Sequence, residues 1–162
     1  MAESPLWADA VLPEDEQERD PVFSSLNAER YSLAIETIYE GYLVHYGRPR
    51  LFASSDRDVS LLLGDYLYAH GLVRVAERGD VVAVDDLAHL ISLCAQCRAD
   101  GRPGDGDAWA ATAAVLGEGR LAQARAALRE HGDAAVLHAV AVEASGSDAV
   151  AEALSAHGRR VH

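Results

Sequence analysis

The stretch Gly64–Leu90, GDYLYAHGLVRVAERGDVVAVDDLAHL, has two readings that lead to different folds. Read as strand, turn, strand, it sets Leu72-Val73-Arg74-Val75 and Val81-Val82-Ala83-Val84 on either side of an Arg78-Gly79-Asp80 turn. That is the pattern of a hairpin such as the wing of a DNA-binding winged helix. Read as helix, break, helix, it is the interior of an all-helical protein. The residues before it decide. Ser55 or Asp56 stands in capping position, and Val59, Leu62, Leu63, Tyr66, Leu67 and Val73 then sustain one apolar face for about five turns. A wing follows a separate short helix and a break, so the length favours helix. Gly71 costs about 1 kcal/mol relative to Ala inside a helix, but a small residue lets a neighbouring helix approach closely. Gly79 then ends one helix and Asp80 caps the next, an antiparallel joint. The second helix, residues 81–98, presents Val84, Leu87, Ala88, Ile91 and Cys94 on one side.

Upstream, the pattern is helical from Ser25. Asn27 is in position to cap, Tyr31, Ala34, Ile35, Ile38, Tyr39 and Tyr42 share a face, and Gly47 and Pro49 end the segment. Residues 1–24 carry the acidic run Glu14–Asp20 and little periodicity, which predicts a flexible acidic arm. Its Leu6, Trp7, Val11 and Leu12 are the residues able to dock as a short segment. Downstream, the Gly- and Asp-rich run 100–107 is the strongest loop signal. Beyond it, helices are expected over residues 108–116, 121–131, 134–144 and 148–156. Their spacing is loosely like helical-hairpin repeats, but no 34-residue period recurs, and plain bundle packing is the better description. The fold class predicted is all-α, an antiparallel helical bundle, with the main core in residues 25–100 and the Ala-rich helices of 101–162 completing it.

Bulk properties narrow the function classes. The chain has 162 residues, enough for one domain with a core, and is 49% hydrophobic. It has no apolar run near the roughly 20 residues of a membrane span. Carboxylates near the N-terminus argue against export or transit signals, so a cytoplasmic location is expected. Net charge is -12, and the 14 basic residues are all Arg with no dense cluster, which opposes nucleic-acid binding.

Few constellations suggest chemistry. Cys94 and Cys97 form a C-x-x-C pair, with His89 upstream, but late in a helix the backbone field opposes a thiolate, and buried structural thiols are expected. The seven His flank no nucleophile elbow, and no Gly-rich loop fits a phosphate cradle. Asp85 and Asp86 point about 100° apart on a helix and read as solvated charges. Glu36 and Glu40 are different, since i, i+4 spacing puts both carboxylates on one face. Two such groups are able to share Mg2+ and, through it, a diphosphate; the plainer reading is a surface pair.

The middle of the chain resembles the trans-prenyl diphosphate synthase superfamily. The residues that carry the resemblance are His45-Tyr46-Gly47-Arg48-Pro49, Leu61-Leu62-Leu63-Gly64-Asp65-Tyr66-Leu67-Tyr68-Ala69-His70, Arg78-Gly79-Asp80 and Leu87-Ala88-His89-Leu90-Ile91, in family order and spacing. The resemblance implies a truncated isoprenoid synthase fold and a first aspartate motif at Glu36-Thr37-Ile38-Tyr39-Glu40, where the family has DDxxD. Glu36, Thr37 and Glu40 leave that motif degenerate, and neither the family's basic diphosphate-binding segment nor its second aspartate motif is found. This pattern resembles the small, non-catalytic subunits of heteromeric long-chain prenyl diphosphate synthases. The implied partner is a catalytic prenyl diphosphate synthase subunit, with a homo-oligomer as the alternative and no cofactor required. Gly47, Arg48, Pro49, Gly64 and Asp65 are the family-like structural residues. Ile38, Tyr39, Tyr42, Leu62, Tyr66, Leu67 and Tyr68 supply more apolar surface than a half-sized bundle easily buries, and are expected at the partner interface. Two rival functions follow: a divergent synthase binding diphosphate through Glu36, Glu40 and Mg2+, or a helical scaffold that binds a protein through its C-terminal half.

Overall fold

The computed structural model describes residues 5–161, with side chains from Trp7 onward. Met1–Ser4, the Leu6 side chain and His162, all within expectations above, lie outside the described residues. The fold is all-α. A single turn α1 (Pro5–Ala8) precedes seven helices of ten residues or more: α2 (Ser32–Tyr46), α3 (Arg57–Ala76), α4 (Val81–Ala99), α5 (Asp105–Ala114), α6 (Ala122–His131), α7 (Ala135–Ser145) and α8 (Ser147–Gly158). Among the described residues the only extended pairings are isolated bridges, Val11 with Phe52 and Gly47 with Val161.

The stretch Gly64–Leu90 is helix, break, helix. Asp56 caps α3 by accepting from the amides of Asp58 (2.8 Å) and Val59 (3.2 Å). At the joint Gly79 takes φ +75°, and Asp80 caps α4 by accepting from the Ala83 amide at 2.9 Å. The Asp80 carboxylate also accepts from the Tyr31 hydroxyl, which ties the joint to the start of α2.

Antiparallel α2 and α3 form the closest helix pair, and glycines set its spacing. A Cβ on Gly71 would lie 2.3 Å from Ile38 Cγ1, and one on Gly41 would lie 2.9 Å from the Gly64 carbonyl oxygen. Gly71→Ala is therefore expected to destabilise by about 1–2 kcal/mol, because overpacking against a β-branched side chain outweighs the roughly 1 kcal/mol gain in helix propensity. The urea midpoint checks this, and a stabilised variant would refute the close crossing.

Around this pair, α5 lies at the centre and touches α4, α7 and α8. Its Trp109 is 1% exposed among Ala108, Ala110, Ala111 and Ala113, all buried. The main core joins α2, α4, α5 and the later helices, while Trp7, Ala10, Phe52, Leu63 and Leu67 form a second, smaller cluster.

Two expectations are corrected here. The segment read as a flexible arm is packed on the bundle over its described residues. The amide of Leu12 donates to the Leu51 carbonyl at 2.9 Å, that of Ala53 to Ala10 at 2.8 Å, and Val22 and Phe23 are fully inside. The Glu18 carboxylate bridges Arg48 (2.9 Å) and Arg160 (2.6 Å), so part of the acidic run has internal partners. The first long helix also starts later than Ser25. Two 3-10 turns, Ser24–Leu26 and Glu29–Tyr31, come first, and Asn27 donates its side-chain amide to the Ala113 carbonyl.

Candidate functional site

Glu36 and Glu40 project from α2 toward the loop after Gly47, where Arg50 lies between them. The Glu36 carboxylate accepts from three consecutive amides through Oε1, those of Val22 (3.0 Å), Phe23 (3.0 Å) and Ser24 (2.8 Å). Its Oε2 takes Arg50 Nη1 at 2.6 Å. Glu40 accepts through Oε1 from the amides of Arg50 (2.7 Å) and Leu51 (2.8 Å), and through Oε2 from Arg50 Nε at 2.9 Å. Arg50 also donates to the Asp20 and Glu36 carbonyls. Burial opposes its charge, yet the two carboxylates outweigh that and hold its pKa above the ordinary value. All four carboxylate oxygens thus have donors from this chain. Thr37 donates to the Leu33 carbonyl one turn back at 2.7 Å.

This is a correction to the surface-pair reading and removes the ground for Mg2+ at Glu36 and Glu40. A divalent ion there would have to compete with the Arg50 guanidinium and the backbone amides for those oxygens. Among the described residues, no group of three or more His, Cys, Asp or Glu is placed to hold a metal ion. What the cluster does is mechanical: one guanidinium and two carboxylates lock residues 20–24, α2 and the 50–51 loop together.

Two grooves flank the cluster. One of about 290 Å3 lies over Leu33, Thr37, Phe52 and Leu67. The other, about 450 Å3, is lined by Leu12, Val44, Pro49, Phe52 and Leu63 with Arg48 and Glu18 at its edge. Gly47, Arg48 and Pro49 belong to its wall. Gly47 lets the C-terminal segment pass, since a Cβ there would lie 2.6 Å from the Arg160 carbonyl oxygen, and the Arg48 amide donates to that oxygen at 2.8 Å. Gly64 makes room for His45, whose ring pairs with Asp65 at 3.2 Å.

A second polar cluster closes the other side of α2. The Tyr42 hydroxyl donates to Asp105, Arg98 pairs with the same carboxylate at 2.6 Å, and His157 lies 3.7 Å from it. His157 Nδ1 is 3.0 Å from the Tyr39 hydroxyl. Burial alone would raise the Asp105 pKa, but nearby His157, the hydrogen bond from Tyr42 and the Arg98 guanidinium hold it far below the ordinary value. Burial pushes both tyrosines well up, and the charges of Glu36 and Asp105 for Tyr39, and of Asp105 for Tyr42, add to it. Burial also raises the Cys94 thiol, with the Asp105 charge adding to it. Cys94 and Cys97 are free and buried, and the charges of Arg98 near Cys94 and of Arg102 and Arg129 near Cys97 do not outweigh burial and the Asp105 charge, so both thiols are pushed up.

Because the folded Asp105 pKa lies below the roughly 3.9 of an unfolded Asp, its contribution is complete above that value. It is lost as pH falls through the folded pKa. The urea midpoint of the wild type is expected to drop through the acid range, and Asp105→Asn to have a lower midpoint at neutral pH with a flatter acid limb. Parallel acid limbs would refute the role of Asp105.

The third cluster was not anticipated. Asp86 is 1% exposed, pairs with Arg125 of α6 at 2.9 Å and accepts from the amides of Gly117 (3.0 Å) and Gly119 (3.3 Å). Only Asp85 of the adjacent pair is solvated. Sequence alone offered one signal: Arg125 falls on the apolar side of α6 with Leu121, Ala124 and Leu128.

Burial also redraws the expected interface. Ile38, Tyr39 and Tyr42 are 0% exposed and Leu67 is 1% exposed, because Phe23, Trp109 and His157 cover α2 while Trp7, Ala10 and Phe52 pack with Leu67. These four cannot meet a partner while the fold is intact. Tyr66 packs on Trp7 with ring centroids 5.5 Å apart, and Tyr68 on His45 at 5.2 Å. Leu62 alone of the set is broadly exposed, at 55%, and it has company on α3 in Leu61 (54%) and Val73 (53%). The chain matches no family model, no curated protein and no solved structure in the corresponding searches. No helix among the described residues is long and apolar enough to cross a membrane.

Proposed function

We propose that this chain is a non-catalytic helical accessory subunit that docks on a larger partner, a catalytic prenyl diphosphate synthase, and modulates its product length or stability. The observation that carries the reading is the internal pairing of Glu36 and Glu40 with Arg50 and backbone amides. At the position that resembles a diphosphate-binding metal motif, every carboxylate oxygen serves the chain's own backbone and Arg50. A chain that has turned those acids to structural use has nothing left there to neutralise a leaving diphosphate. Exposed Leu62 and Val73 on one face of α3 support docking, since large apolar side chains gathered on one helix face mark interaction surfaces. The C-terminal half offers less, with Val136 its one exposed large apolar residue among those described. Buried free thiols at Cys94 and Cys97 fit a cytoplasmic setting.

Co-expression with a tagged prenyl diphosphate synthase bearing both intact aspartate motifs tests the proposal. Stoichiometric co-elution and a changed product length or thermal midpoint are expected. A chain that stays apart from every synthase of its source and leaves their products unaltered refutes it. Titration calorimetry with Mg2+ and farnesyl diphosphate is expected to give no heat of binding; saturable heat would restore the enzyme reading.

A further inference from the structure

The outer face of α3 has a charge pattern that selects its occupant. At about 100° per residue, Leu62, Ala69 and Val73 fall on one line along the helix, and all three are exposed. The charged residues bordering that line are Asp58, Asp65 and Glu77, all exposed and all acidic. The basic residues of α3, Arg57 and Arg74, lie more than about 100° round from the line. On the opposite face, Gly64 and Gly71 are taken up by α2.

We propose that this face is a docking strip for an amphipathic helix of another protein whose apolar stripe is flanked by Lys or Arg. Charge complementarity decides between occupants. A second copy of this chain would bring its own Asp58, Asp65 and Glu77 against the same three residues in either orientation, on a chain already at net charge -12. Like charges brought together across an interface are a strong penalty. A cationic helix reverses the sign of every one of those contacts and leaves the Leu62-Val73 line to bury against its own apolar stripe. The inference rests on the docking-subunit reading above and adds the chemistry of the partner surface.

The test uses the full chain and two labelled synthetic peptides of about 18 residues, five helical turns. Both carry Leu at helical spacing, with Arg flanks in one and Glu flanks in the other. Fluorescence anisotropy is expected to show the Arg peptide binding at least about tenfold tighter than the Glu peptide, with an advantage that shrinks as salt rises. The double variant Leu62→Asp/Val73→Asp should lose binding by at least about tenfold, with its helical circular dichroism unchanged. The triple variant Asp58→Arg/Asp65→Arg/Glu77→Arg should invert the preference and bind the Glu peptide better. Equal binding of the two peptides, binding of neither, or insensitivity to the double variant overturns the proposal. So does a wild-type dimer that the double variant dissolves. Because the peptides involve no synthase, charge-selected binding without capture of a synthase would fault the partner's identity alone. Capture of a synthase by the double variant would fault the strip alone.

Discussion

Arg50→Met is expected to cost the native state about 3–5 kcal/mol, the penalty for stranding a buried carboxylate by removing its cation. Against a typical total of about 5–15 kcal/mol, that is enough to leave a visible unfolded fraction. Met keeps most of the apolar stem, so lost packing contributes little. The backbone amides of Val22, Phe23, Ser24, Arg50 and Leu51 still reach the Oε1 atoms of Glu36 and Glu40. The penalty therefore falls on the two Oε2 atoms, whose side-chain donor was Arg50 alone. The triple variant Arg50→Met/Glu36→Gln/Glu40→Gln should recover part of the loss, because it removes the stranded charges while an amide oxygen still accepts from the same backbone groups. Urea unfolding followed by circular dichroism measures both. A single variant within about 1 kcal/mol of wild type, below the range for breaking a buried pair, would mean that the cluster is solvated, and Glu36 and Glu40 would return as candidate metal ligands.

The decisive stretch was legible because its signals are local. An apolar run from Val59 to Val73, followed by Gly79 and a capping Asp80, depends only on neighbours within a few turns, and the helices and their joint fall where it puts them; the buried face is rotated, since α3 buries Leu63, Leu67, Gly71 and Val75 and leaves Leu62 and Val73 exposed. The loop expected over 100–107 is present but shorter, because α5 begins at Asp105 and ends at Ala114, while the three later helices start within one residue of the expected positions. What failed depends on partners far along the chain. Glu36 and Glu40 are correctly placed on one face by their spacing, but nothing in that spacing shows that Arg50 and the amides of residues 22–24 come to meet them. Asp86 looks solvated beside Asp85 until Arg125, 39 residues later, is brought to it. The tyrosines of α2 form a surplus apolar face when residues 25–100 are considered alone. They become interior once α5 and α8 lie over them. The arm failed for a related reason: low periodicity and negative charge suggest disorder, yet Trp7, Ala10, Val22 and Phe23 each find an apolar partner, and Glu18 finds two guanidiniums.

Trp109→Ala is expected to cost about 3–5 kcal/mol, the range for deleting a buried aromatic, and the site is one that cannot relax. The indole stacks on Phe23 at 5.6 Å and 17°, and meets Tyr39 at 5.1 Å and 75° and Tyr42 at 5.6 Å and 67°. Its neighbours on α5 are alanines, too short to close a cavity, and Tyr39 and Tyr42 are held by hydrogen bonds to His157 and Asp105. The indole N–H has no hydrogen-bond partner among the described residues, a state that ordinarily costs about 1–3 kcal/mol. Trp109→Phe removes that orphan donor along with some volume, so it should lie far closer to wild type than Trp109→Ala does. Because Phe23 belongs to the N-terminal segment and His157 to α8, the Ala variant should loosen both ends of the chain together. Limited proteolysis is expected to cut first before residue 24 and after residue 146, while near-ultraviolet circular dichroism loses intensity. The outer face of α3 touches none of these rings, so peptide binding per folded molecule should be retained. If Trp109→Ala instead abolished that binding in molecules still folded, the docking strip would have to be coupled to the core, and a passive surface would no longer describe it.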